Sequence, residues 1–285
     1  MADPSTSIAA PKTRSPTTIH TLKRVLERGE TIRLLMTAQL KSGHRDKLLG
    51  HLWSLLDPLL MLTVYYLIFG IGFRQAADGP GEFVLYLFVG IIVWRFLGDS
   101  VSQATGCLRS QRGLIVAADF PKAVIPISIC GARAYDLLWS LVVVAMVGWV
   151  CDIPMTPSIA WLPLILLLHV MLTLGACLIV AYLGLFFADT ANIISAFLRL
   201  WVLVSPIFYF ARTEHGRRGI IPAEYLDYYM LNPIAGLLDA YRAALIWGQP
   251  PRTGELLYVA GFAAALLALG FVIFSRGEGY FAKYV

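Results

Sequence analysis

Residues 160–187 read AWLPLILLLHVMLTLGACLIVAYLGLFF, an apolar stretch without one Asp, Glu, Lys or Arg. At about 1.5 Å per residue, a helix of this length crosses a hydrocarbon core about 30 Å thick. A soluble amphipathic helix keeps a polar face for water; this one has none, so the bilayer is its solvent. The whole chain agrees, because its 285 residues are 58% hydrophobic and only 14% charged, with a mean hydropathy of +0.70. A soluble domain carries about a quarter charged residues.

Apolar runs at 52–73, 83–105, 124–150, 192–211 and 255–274 repeat the pattern of 160–187. The sequence therefore predicts an all-α integral membrane protein with six transmembrane helices and no soluble catalytic domain between them. Residues 1–20, rich in Pro, Ser, Thr and Ala, lack the apolar core of a signal peptide and are expected to be a disordered cytosolic lead. The formal charge of +5 does not mark a nucleic-acid face, since the basic residues cluster beside the apolar runs.

Loop charge sets the expected orientation. Lys23, Arg24, Arg28, Arg33, Lys41, Arg45 and Lys47 precede the first span, and Arg109, Arg112 and Lys122 lie between the second and third. These segments belong in the cytosol by the positive-inside rule. The first loop, with Arg74, Asp78 and Glu82, and the third, with Asp152, face outward. An even number of crossings returns the C-terminus, with Arg276 and Lys283, to the cytosol. Before the first span, Leu22, Val25, Leu26, Ile32, Leu35, Met36 and Leu40 recur at spacings of three and four among basic residues, which predicts an amphipathic interface helix over 21–45. The long segment 211–254 is too apolar for a solvent loop and is broken by Pro222 and Pro233. It reads as external re-entrant helices before the last span.

The chain has no GxxxxGK[ST] phosphate-binding loop, no HExxH and no GxSxG. Any ATP-driven work needs a partner. Cys107, Cys130, Cys151 and Cys177 have no metal-ligand spacing and read as free thiols. Charges inside the spans are costly and therefore informative. Arg95 with Asp99 and Arg133 with Asp136 stand one helical turn apart and read as intramembrane ion pairs. Arg199 has no carboxylate within a turn, which leaves it facing an aqueous path or an anionic ligand such as a lipid pyrophosphate, or else snorkelling toward an interface or pairing across helices. His169, alone among leucines, reads as a hydrogen-bonded core residue. Tyr65, Phe69, Trp201, Phe208 and Tyr209 offer ring faces on which sugars can stack, although interfacial aromatic belts give the same composition.

Four stretches, taken in order, resemble a known family. Leu49-Gly50-His51-Leu52-Trp53 followed by Asp57-Pro58 is similar to a Leu-Gly-x-x-Trp-x-x-x-x-Pro signature before the first span. Phe120-Pro121-Lys122 is similar to the end of a coupling segment, Ser205-Pro206-Ile207-Phe208-Tyr209 to a Ser-Pro-x-x-Tyr run, and Leu231-Asn232-Pro233 with Ala240-Tyr241-Arg242 to an external Asn-Pro segment. The resemblance is to the membrane subunits of polysaccharide-type ABC exporters, which move O-antigen, capsule or teichoic acid. It implies one transmembrane domain over 21–285 in the cytoplasmic membrane, working as a homodimer with two copies of a nucleotide-binding ATPase subunit that holds ATP and Mg. The cargo it implies is a lipid-linked glycan, most narrowly O-antigen. Transferred by position, a coupling segment over 107–122 offers Arg109, Arg112, Leu114, Asp119, Phe120 and Pro121 to the ATPase, Tyr65, Phe69, Trp201, Phe208 and Tyr209 line the glycan path, and 211–254 forms an external gate. Where the family often carries Arg-Asp this chain has Ala188-Asp189, so no role passes to an Arg there. Two other readings use the same hydropathy. A membrane-embedded glycan- or lipid-modifying enzyme would draw on Asp227 and Asp239, and a permease for a small drug or lipid would need no glycan path.

Overall fold

The computed structural model of the chain describes residues 18–44, 52–72, 80–117, 120–154, 156–213 and 219–284. Outside them lie most of the expected lead, Leu48 to His51 of the first motif, Arg74 and Asp78, Asp119, and Glu214, Arg217 and Arg218. The side chains of Trp53, Pro58 and Phe69 also fall outside the description.

Every regular element among the described residues is helical: α1 (Thr18–Glu27), α2 (Gly29–His44), α3 (Leu52–Tyr65) with a π-helical continuation (Tyr66–Gly72), α4 (Pro80–Ser110), α5 (Arg112–Ala117), α6 (Val124–Val150), a 3-10 turn (Pro157–Trp161) leading into α7 (Leu162–Phe186), α8 (Thr190–Val204), α9 (Ala223–Tyr229), α10 (Pro233–Leu245) and α11 (Thr253–Tyr284). Helices satisfy their own backbone groups, the requirement hydrocarbon imposes. Among the described residues, four stretches are long and apolar enough to cross a membrane: Pro80–Ser110, Val124–Val150, Pro157–Phe186 and Thr253–Gly279. Two shorter apolar helices, Leu59–Ile68 and Thr190–Val204, overlap the first and fifth expected spans.

The fifth apolar run, 192–211, does not continue as one helix. α8 stops at Val204, and Ser205 is extended (φ −89°, ψ 143°). Pro206 is the cause: it has no N–H for the helix ladder and disfavours a helical residue before it. The expected interface helix is likewise two helices, with a turn at Arg28 just ahead of Gly29, where Arg28 N–H bonds Val25 O at 3.1 Å. Val25 is buried, and Ile32 and Leu35 pack on the core, whereas Leu26 and Leu34 stay exposed. α1 lies against α11 and α2 against α6.

α4 is the axis of the bundle, packed by α6, α7, α8, α10 and α3, and α7 is sandwiched between α4 and α11. Small residues allow the closest approaches, as in membrane helix pairs generally. A Cβ on Gly270 of α11 would stand 2.6 Å from Gly175 O of α7. On α6, Tyr135, Leu138, Trp139, Val142, Met146 and Trp149 form an exposed apolar stripe, a face for lipid.

Candidate functional site

Ending α8 at Pro206 leaves the carbonyls of the following turn inside the bundle without helical partners, and a buried carbonyl needs a donor. Arg242 of α10 supplies most of them. Its Nη1 donates to Pro206 O at 2.7 Å, and its Nη2 to Ile207 O and Tyr86 O, each at 3.2 Å. The guanidinium sits 3.3 Å over the Tyr86 ring, a cation–π contact, and the Tyr86 hydroxyl donates to Tyr209 O at 2.6 Å. Arg242 is only 2% exposed, and burial pulls its pKa down while Tyr86 and Asp239 oppose the shift. Gly90 makes room on α4, since a Cβ there would lie 2.9 Å from Arg242 Nη2 and 3.0 Å from Ile207 O.

Asn232 ties the other half of the knot. As N-cap of α10 its Oδ1 accepts from Ile234 N–H at 3.1 Å, with Pro233 at the first helical position. The same oxygen accepts from Trp201 Nε1 at 3.1 Å, and Nδ2 donates to Ser205 Oγ at 3.1 Å. The Ser-Pro-x-x-Tyr and Asn-Pro/Ala-Tyr-Arg stretches, separate in sequence, thus form one hydrogen-bonded unit.

Four of the five expected path residues gather around α8 and the turn after it. The Tyr65 and Phe208 rings stand 4.3 Å apart, Trp201 meets Trp94 edge-on at 5.7 Å, and Tyr209 OH lies 3.0 Å from Tyr229 OH. The fifth, Phe69, has its side chain outside the description. Arg199 is exposed on the same helix, its Nη1 donating to Ser195 Oγ at 3.0 Å. The ion pairs close within their own helices, Arg95 with Asp99 at 3.6 Å and Arg133 with Asp136 at 2.7 Å. His169 is fully buried, its Nδ1 3.3 Å from Tyr241 OH. Cys107, Cys130 and Cys177 are buried free thiols. Asp227 is exposed on α9; Asp239 pairs with Arg252 at 3.9 Å, and burial together with Glu255 pushes its carboxyl pKa up.

The opposite end of α4 carries the segment over 107–122. Arg109 donates from Nη2 to Leu185 O at 2.9 Å, binding the last turn of α7. On α5, Arg112 is exposed, Leu114 is half-buried and Val116 is 68% exposed. Phe120 and Pro121 turn inward: Phe120 is 5% exposed, with Lys122 Nζ 4.5 Å from its ring centre. Lys122 N–H donates to Glu278 Oε1 of α11 at 2.6 Å. Sequence reasoning missed the partnerships of Arg242, Tyr86 and Glu278 and the exposure of Val116. Arg242 did leave a signal, the lone base in the apolar stretch Pro233–Leu245.

The sequence profile described as "ABC-2 type transporter" matches residues 30–246. The chain is 27% identical over 253 residues to the O-antigen export system permease protein RfbA of Myxococcus xanthus, covering 88% of this chain and 94% of that one. It is 26% identical over 254 residues to a protein of the same name from Klebsiella pneumoniae, covering 88% and 93%. To the polysialic acid transport protein KpsM of Escherichia coli it is 24% identical over 255 residues, covering 87% and 93%.

Proposed function

The chain belongs to the ABC-2 type transporter family, and from that premise we propose that it is the membrane subunit of an ATP-driven exporter of a lipid-linked polysaccharide, most narrowly O-antigen. The carrying observation is the aromatic group Tyr65, Trp201, Phe208 and Tyr209, gathered where α8 ends and held by the Arg242 and Asn232 hydrogen bonds. Tyr65, Trp201 and Tyr209 are half-buried and can offer ring surface to sugar C–H groups without fixing one register, which a passing polymer requires, whereas Phe208, 7% exposed, packs behind Tyr65 as support and not as a path surface. Similarity over 87–88% of the chain to two O-antigen permeases and a polysialic acid transporter supports the same cargo class.

In this reading six segments cross the inner membrane: the four long helices, α3 with its π-helical continuation, and α8 with the turn after it. Both termini and the 107–122 segment are cytosolic, α9 and α10 stand at the external mouth, and two copies assemble with two ATPase subunits that hold ATP and Mg. ATPase closure pushes on the exposed face of α5 through Arg112 and Val116, and Phe120 anchors the segment in the bundle. Asp239, engaged with Arg252, and Asp227, exposed on α9, lend no support to the transferase alternative.

The test is reconstitution of the chain with a nucleotide-binding subunit in proteoliposomes loaded with a lipid-linked glycan. ATP-dependent appearance of glycan on the far side is the expected result. Chemical turnover of the glycan by the chain alone, or transport indifferent to the ATPase, overturns the reading.

A further inference from the structure

α11 runs without interruption from Thr253 to Tyr284 and carries a tethering glutamate near each end. Near its C-terminal end Glu278 Oε1 accepts the backbone N–H of Lys122 at 2.6 Å, a charge-assisted bond to the segment that follows α5. That N–H lies just ahead of α6, outside the helix's own hydrogen-bond ladder, and a carboxylate from 156 residues away supplies its acceptor. Near the N-terminal end Glu255 forms an ion pair with Arg212, the residue that closes the turn after α8, and the two side chains are only 20% and 11% exposed. The glutamates are separated by about 35 Å of helix, close to the thickness of a hydrocarbon core. Between them α11 is pressed on α7 at Gly270 and Gly175, and at its far end Phe281 is buried against Phe274 and Phe186.

We propose that Glu278 and Glu255 are positioning residues that make α11 a strut, joining the segment the ATPase moves to the external segment that gates the glycan. This rests on the export reading above. Displacement of Lys122 is then carried along a continuous helix to Arg212, and through the adjoining turn carbonyls to Arg242. Neither glutamate touches the cargo.

The measurement is glycan exported per ATP hydrolysed, in reconstituted complexes of verified composition. Glu278→Ala, which removes the acceptor, lowers that ratio by about tenfold while basal ATP hydrolysis and assembly stay at the wild-type level. Glu278→Gln keeps an acceptor for Lys122 N–H and restores most of the ratio, a rescue that loss of charge alone would not give. At the other end Arg212→Glu lowers the ratio, and Arg212→Glu with Glu255→Arg recovers it. A wild-type ratio in Glu278→Ala overturns the strut, and so does failure of the charge-swapped pair to recover. Should Glu278→Ala not assemble, the charge-swapped pair decides by the same criterion. If the wild-type complex itself moves no glycan with ATP, the export reading fails instead.

Discussion

At the residue scale the decisive side chain is Arg242. A buried cation needs hydrogen-bond partners, and the Arg242 terminal nitrogens meet three backbone carbonyls while the guanidinium lies on one aromatic face; its buried Nε is left without a partner. Arg242→Ala would leave the Pro206 and Ile207 carbonyls buried without their donor, so it should destabilise the fold by about 3 kcal/mol or more, read as a lowered thermal midpoint in detergent. Arg242→Lys should recover little, because a point ammonium cannot span several acceptors as the guanidinium fork does. Asn232→Ala removes a helix cap and the Trp201 and Ser205 contacts together, and should cost about 1–2 kcal/mol on the same assay. The stretch Ala240-Tyr241-Arg242 is visible in the sequence, but nothing local says that Arg242 turns inward to Pro206, since that pairing spans 36 residues.

At the element scale the contrast lies between α5 and the residues after it. Val116 presents an exposed apolar surface, whereas Phe120 is packed into the bundle. Val116→Asp should therefore weaken partner association and ATP-coupled export with the thermal midpoint unchanged, while Phe120→Asp should lower that midpoint by burying a carboxylate. Differential scanning of the purified chain and pull-down of the ATPase subunit separate the two outcomes. The α7–α11 contact makes a second expectation. Gly270→Val places a branched side chain where even a Cβ would stand 2.6 Å from Gly175 O, and should force the helices apart, reducing the yield of folded protein. The positions of the four long apolar helices were legible because long apolar runs are a local property. The expected span 192–211 ran through Pro206, where α8 in fact ends at Val204; the inward turn of Phe120 was not legible either, since burial depends on which helices surround it.

At the scale of the whole molecule, topology makes the prediction. With Cys151→Ser as background, a membrane-impermeant thiol reagent on intact cells should label Thr253→Cys and leave Arg112→Cys unlabelled until the membrane is permeabilised. The reverse pattern would invert the proposed orientation and place the aromatic group at the cytosolic mouth. The sequence by itself determined the solvent of this protein, the places where its long helices fall and the order of its motifs. Those follow from hydrophobicity and proline chemistry, which act over one or two turns of chain. Only the tertiary structure decided that the Ser-Pro-x-x-Tyr turn is held by Arg242, that Phe120 points inward and that α11 is tethered at Glu255 and Glu278. These contacts join residues 36 to 156 positions apart, and they exist because helix packing brings an orphaned carbonyl or N–H to a distant polar side chain that can satisfy it.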